Sequence, residues 1–119
     1  MLLLLLGCVV AVGLLFAFSH WGVTPCTNVR LSESISPDGF RKVVVFKREC
    51  GTSTGSTYQG AIIPVDAPYP STPGNVFITT QQGIKVTWNS PTEVAIEMSW
   101  GRSVLKQETL VDGVVVFYP

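Results

Sequence analysis

The sequence is poor in the groups on which most enzyme and nucleic-acid chemistry depends. Its 119 residues include one histidine, His20, and charged side chains make up only 13%, eight Lys+Arg against eight Asp+Glu. A zero formal charge gives no electrostatic footing for a polyanion, so nucleic acid is not an expected partner. A single histidine, next to an apolar terminus, leaves no Ser-His-Asp triad and no Cys-His pair to assemble. Neither CxxC nor HxxxH spacing occurs, and a structural zinc site needs about four such ligands. Neither GxxxxGK[ST] nor GxGxxG is present, so no nucleotide loop and no cofactor are expected. Glu93 and Glu97 fail as a glycosidase pair, because four residues of strand span about 13 Å.

Charge is also missing from one end. Except for His20 and the amino terminus, nothing ionisable precedes Arg30. Residues 1–18 are all apolar or glycine, and at ~1.5 Å per residue they form a helix about 27 Å long, enough to span a bilayer core of roughly 30 Å. Ser19, His20 and Trp21 then mark an interface, with the tryptophan where an aromatic belt lies. We read residues 1–23 as a transmembrane anchor. A cleaved signal peptide is the second reading, because Ala17 and Ser19 are small, but no basic residue precedes the run and it exceeds the roughly 7–15 residues of an ordinary signal core. Lipidation at Cys8, after Leu6 and Gly7, or at Cys26, after Pro25, is the third. Arg30, Arg41 and Lys42 by themselves favour a cytoplasmic domain, whereas the cysteines favour the outside.

Residues 24–119 carry a different pattern, in which short β-rich runs alternate with turn signals and no stretch has helical periodicity. This predicts one small, antiparallel, all-β domain of about seven strands, sandwich-like or a curled sheet, on the extracytoplasmic side of one transmembrane helix. The first strand covers residues 28–35 and ends at Ser36-Pro37-Asp38-Gly39, where proline sets a turn and glycine takes a positive φ. The second runs over residues 40–49, and its Val43-Val44-Val45-Phe46 centre is apolar on both faces, as in a central strand. A third strand over 57–65 leads into a connection, residues 64–74, whose four prolines exclude a central strand. A short strand over 75–80 follows.

The hairpin of residues 84–88 and 94–98 has a predicted register: Trp88 opposite Val94, Val86 opposite Ile96 and Ile84 opposite Met98, with Thr87–Ala95 and Lys85–Glu97 on the other face. A slip by one residue would bury Glu93 and Glu97. The last hairpin joins residues 103–111 to 114–118 through Asp112-Gly113, a type I′ signal. Cys26 and Cys50 are either two separate thiols or a bridge. We expect the bridge, since a small core gains most from a covalent staple, and closing about 25 residues contributes roughly 3 kcal/mol.

Candidate binding residues come from two places. The small hydroxyl run after Cys50, with Thr52, Ser53 and Thr54, is read as a flexible hairpin loop whose hydroxyls and N–H groups also offer an anion- or sugar-binding concavity. Tyr69, held between Pro68 and Pro70, offers a rigid side chain for a partner, against the plainer reading of an exposed spacer. Trp100, beside Gly101 and Arg102, reads as an exposed tip. An enzymatic alternative, a hydroxyl in residues 52–57 activated by Lys47 or Lys85, needs a desolvated lysine beside that loop.

The succession Cys26, Ser36-Pro37-Asp38-Gly39, Val43-Val44-Val45-Phe46-Lys47-Arg48-Glu49-Cys50-Gly51, Gly74-Asn75-Val76-Phe77 and Val86-Thr87-Trp88 resembles an uncharacterised family of small bacterial envelope proteins. That resemblance implies an N-terminal membrane or lipoprotein segment and a compact β domain; the partners we expect are the membrane and an envelope protein. It supplies no activity.

Overall fold

A computed structural model describes residues 26–51, 55–98 and 103–119. The expected anchor, residues 1–23, lies outside the described residues, as do Thr52, Ser53, Thr54 and Trp100. Among the described residues there is no helix. The described residues contain nine strands in two sheets: β1 (Thr27–Ile35), β2 (Arg41–Glu49), β3 (Ser56–Pro64), β4 (Phe77–Thr79), β5 (Lys85–Ser90), β6 (Glu93–Glu97), β7 (Val104–Gln107), β8 (Leu110–Val111) and β9 (Val114–Phe117). The larger sheet has the order β1-β2-β3-β4-β7 and the smaller β5-β6-β9-β8.

The sandwich follows from strand alternation. On the inner face of the larger sheet, Val43, Val45, Ile62 and Phe77 are buried against Val94, Ile96, Met98, Val114 and Val116 of the smaller. The predicted β5–β6 register is observed, with Lys85 opposite Glu97, Val86 opposite Ile96, Thr87 opposite Ala95 and Trp88 opposite Val94. Val94 and Ile96 are fully buried while Glu93 and Glu97 stay in solvent. The Trp88 Nε1–H donates to the Ser34 carbonyl at 3.0 Å, which ties the edge of one sheet to the edge of the other.

The turn chemistry is also as read. Gly39 has φ 75° and its N–H donates to Ser36 O at 2.9 Å, while the Ser36 hydroxyl donates to the Asp38 carboxylate at 2.6 Å. Together with the Phe40 N–H, that hydroxyl holds the Asp38 carboxyl below its ordinary pKa. Asp112 and Gly113 both have positive φ, 49° and 75°, as a type I′ turn requires. Arg41 reaches across to Asp112 at 3.2 Å.

Two expectations need correction. The strand predicted over residues 103–111 is divided: β7 pairs with β4 in the larger sheet and β8 with β9 in the smaller. The chain changes sheets at Glu108 and Thr109, where the Glu108 N–H donates to Val76 O and the Val116 N–H to Thr109 O. The Tyr118 hydroxyl pins this crossing by donating to Glu108 O at 2.7 Å. The domain is therefore not purely antiparallel, because β6 and β9 run parallel, with Glu93 opposite Val115 and Ala95 opposite Phe117. A parallel pair needs a long return connection, and the excursion through β7 supplies it.

The central Val43-Val44-Val45-Phe46 run is buried on both faces, as expected of β2. What covers its outer face is the proline-rich connection. Val44, Phe46 and Ala61 form a second small core, against which Ile63 and Tyr69 pack. The Tyr69 ring meets Phe46 edge-on at 6.3 Å between centroids, and the Arg30 guanidinium lies 4.2 Å over it. The Asn28 side chain donates to the carbonyls of Pro70 and Thr72, each at 2.9 Å, and Arg48 donates to Asn28 Oδ1 and Ser71 O. Residues 64–74 thus form a strap fastened to the sheet. The Asn75 side-chain amide then exchanges two hydrogen bonds with the backbone of Ile62, extending the β3 edge where β4 has not begun.

Candidate functional site

One end of the sandwich holds the cysteine pair that the sequence singles out. Cys26, just before β1, is disulfide-bonded to Cys50, just after β2, with Cα atoms 4.0 Å apart. The expected bridge is present. It closes the β1–β2 hairpin where β1 begins and where Thr27 sits opposite Glu49. Gly51 and Gly55, both with positive φ, flank residues 52–54 at the same end. So does the β4–β5 connection, whose Thr80 N–H donates to Ser103 O at 2.9 Å.

Between the two sheets here lies a groove of about 480 Å³. Its apolar wall comes from Leu31, Val45 and Ile84, and its polar rim from Ser32, Lys47, Tyr58 and Gln82. Local structure explains how they converge. In β1 the pairing slips by one residue, since Arg30 faces Phe46 while Ser32 faces Val45, so Leu31 is the extra residue of a bulge. Bulges re-aim a side chain, and here Leu31 turns into the groove. Lys47 and Tyr58 are direct cross-strand partners on β2 and β3, which puts their side chains on one face with Cβ atoms roughly 5 Å apart. Gln82 reaches in from the β4–β5 connection and donates from Nε2 to the Tyr58 hydroxyl at 2.8 Å. Gly83, with φ 89°, turns the chain so that Ile84 follows into the core.

The rim is rich in donors. Tyr58 accepts from Gln82, which leaves its own O–H to donate, and the Lys47 ammonium carries three N–H groups. The carboxylate nearest to it is Glu49, whose Oε1 lies 3.2 Å from Lys47 Nζ. Lys47 is thus a third exposed and ion-paired, and Lys85 is exposed on β5. Lys47 is held by Glu49 and Lys85 is exposed, whereas a lysine base beside residues 52–57 requires a buried, unpaired ammonium. Among the described residues, no group of three or more His, Cys, Asp or Glu side chains is placed to hold a metal ion.

Tyr69 is elsewhere. It sits under the strap on the outer face of β2, whereas the groove opens on the inner face. Burial pushes its phenol above the ordinary tyrosine pKa, and the neighbouring Arg30 opposes that shift. Its ring covers Phe46, so within the chain it acts as a core lid. The sequence points to Lys47 only as a candidate base and to Ile84 only through the register of its hairpin, and it passes over Leu31 and Gln82. The one available signal was β1's broken alternation: Val29, Leu31 and Ile35 are apolar at odd positions, yet Ser32 and Ser34 face inward.

Compared with known protein families, curated proteins and solved structures, the chain matches none.

Proposed function

We propose that the chain is a single-pass envelope protein whose extracytoplasmic β-sandwich, anchored through residues 1–23, works by binding and performs no catalysis. The observation that carries the reading is the Cys26–Cys50 disulfide, which closes the domain at its first described residue, eight positions after the apolar run of residues 1–18. Disulfides persist in oxidising compartments, so a bridge at this position supports the outward orientation over the one suggested by Arg30, Arg41 and Lys42. The resemblance to small bacterial envelope proteins points the same way. The groove opens at this same end and is the surface through which the domain meets its ligand, while the strap and its Tyr69 serve stability.

Fractionation with carbonate extraction tests the anchor, and non-reducing mass spectrometry of envelope protein tests the orientation. Full-length chain in the washed membrane pellet, with Cys26 bonded to Cys50, is expected. Full-length chain in the soluble fraction would reject the anchor. Two free thiols in native protein would reject the outward domain.

A further inference from the structure

We propose that the groove between Leu31, Val45 and Ile84 binds an amphipathic anion, an alkyl chain ending in a carboxylate or phosphate. This rests on the groove being the binding surface of an anchored domain. The volume of about 480 Å³ falls in the range of pockets that take small ligands. The wall is apolar and the rim offers donors. Leu31, Val45 and Ile84 accept an alkyl chain, while the Lys47 ammonium and the Tyr58 hydroxyl converge from adjacent strands on one head group. Gln82 orients the Tyr58 hydroxyl by donating to its oxygen, so the phenolic proton points to an incoming acceptor. The charge is complementary to an anion once Lys47 exchanges Glu49 for the ligand, since Glu49 is the carboxylate that pairs with Lys47. The location agrees with the proposed anchoring: the groove lies toward the end of the sandwich where β1 begins, the end that residues 1–23 would tether to a membrane carrying such amphiphiles.

The test uses the full chain in phosphatidylcholine nanodiscs and a diazirine-bearing dodecanoate, with labelled peptides mapped by mass spectrometry. Saturable labelling on residues 29–35 or 81–86 is expected. Losing a charge-assisted hydrogen bond weakens a contact roughly tenfold or more, so Lys47→Met should cut labelling by about that factor, and Tyr58→Phe should cut it by a smaller one. Glu49→Gln removes the competing carboxylate and should raise labelling, a direction that loss of structure does not produce. Intact Cys26–Cys50 bonding and an unchanged thermal midpoint verify that each variant is folded.

Replacing half the phosphatidylcholine with phosphatidylglycerol distinguishes the sources. Suppressed labelling assigns the site to a bilayer lipid, and undiminished labelling assigns it to a free amphiphile. Equal labelling by the corresponding neutral alkanol would overturn the proposal, as would labelling unaffected by Lys47→Met and Glu49→Gln. Absence of groove labelling in protein that still sediments with carbonate-washed membranes would overturn the ligand while leaving the anchored binding domain in place.

Discussion

Substituting Tyr69→Ala removes the lid of the second core, and its cost can be worked from the contacts. A fully covered aromatic side chain buries roughly 150–250 Å², so this half-buried ring takes about 100 Å² from water, worth about 2.5 kcal/mol at ~25 cal/mol per Å². The edge-on contact with Phe46 adds ~0.5–1.5 kcal/mol, and the Arg30 guanidinium over the ring adds ~0.5–1 kcal/mol. Part of this overlaps with area already counted, and alanine keeps its Cβ contact, which leaves an expected loss of roughly 2–4 kcal/mol. For a domain of this size that lowers the melting midpoint by roughly 10–25 °C. Tyr69→Phe keeps the ring and loses only a hydroxyl 3.4 Å from Val45 O, at the long limit of a hydrogen bond, so it should cost less than about 0.5 kcal/mol. Chemical denaturation of the full chain in detergent, followed by tryptophan fluorescence, measures both. Tyr69→Ala within about 0.5 kcal/mol of wild type would show the strap to be a spacer. Equal losses for the two variants would place the stability in the hydroxyl and refute the packing argument.

Three further outcomes are expected. Breaking the disulfide with Cys50→Ser should cost about 3 kcal/mol, because the bridge spans 24 residues of sequence; a thermal midpoint insensitive to reductant would contradict this. Gly60→Ala should destabilise by roughly 1–3 kcal/mol or block folding, since a methyl at Gly60 would overlap the Phe77 ring and overpacking forces the core to shift. Burial, aided by the Glu108 carboxylate, pushes the Tyr118 phenol up to about 12, so the folded chain keeps this proton where the unfolded chain has lost it. Its contribution is complete below pH 10 and disappears as pH rises towards 12; with the side chain half exposed, solvent screening limits it to ~1 kcal/mol. Tyr118→Phe should flatten stability against pH in that window, leaving the smaller slope from Tyr69, and an unchanged slope would show that Tyr118 is not its source.

What the sequence determined by itself is what local chemistry and period-2 alternation encode. The β5–β6 register was legible because only one pairing keeps Glu93 and Glu97 out of the core. The turns at Ser36-Pro37-Asp38-Gly39 and Asp112-Gly113 were legible because few residues tolerate their φ values. The four-residue apolar run of β2 announced burial on both faces, and the shortage of core in a small domain pointed to the Cys26–Cys50 bridge. Tertiary structure decided everything that depends on which elements become neighbours. The residues of β7 and β8 read as one strand because the change of sheet at Glu108 is set by distant partners, Val76 and Tyr118, and leaves no local mark. Tyr69 read as exposed because only the fold brings it over Phe46, across a strap held by Asn28 and Arg48. The groove was hidden for the same reason. Its wall and rim come from four separate stretches of chain, and a one-residue bulge at Leu31, which the broken alternation of β1 signals without locating, brings them together.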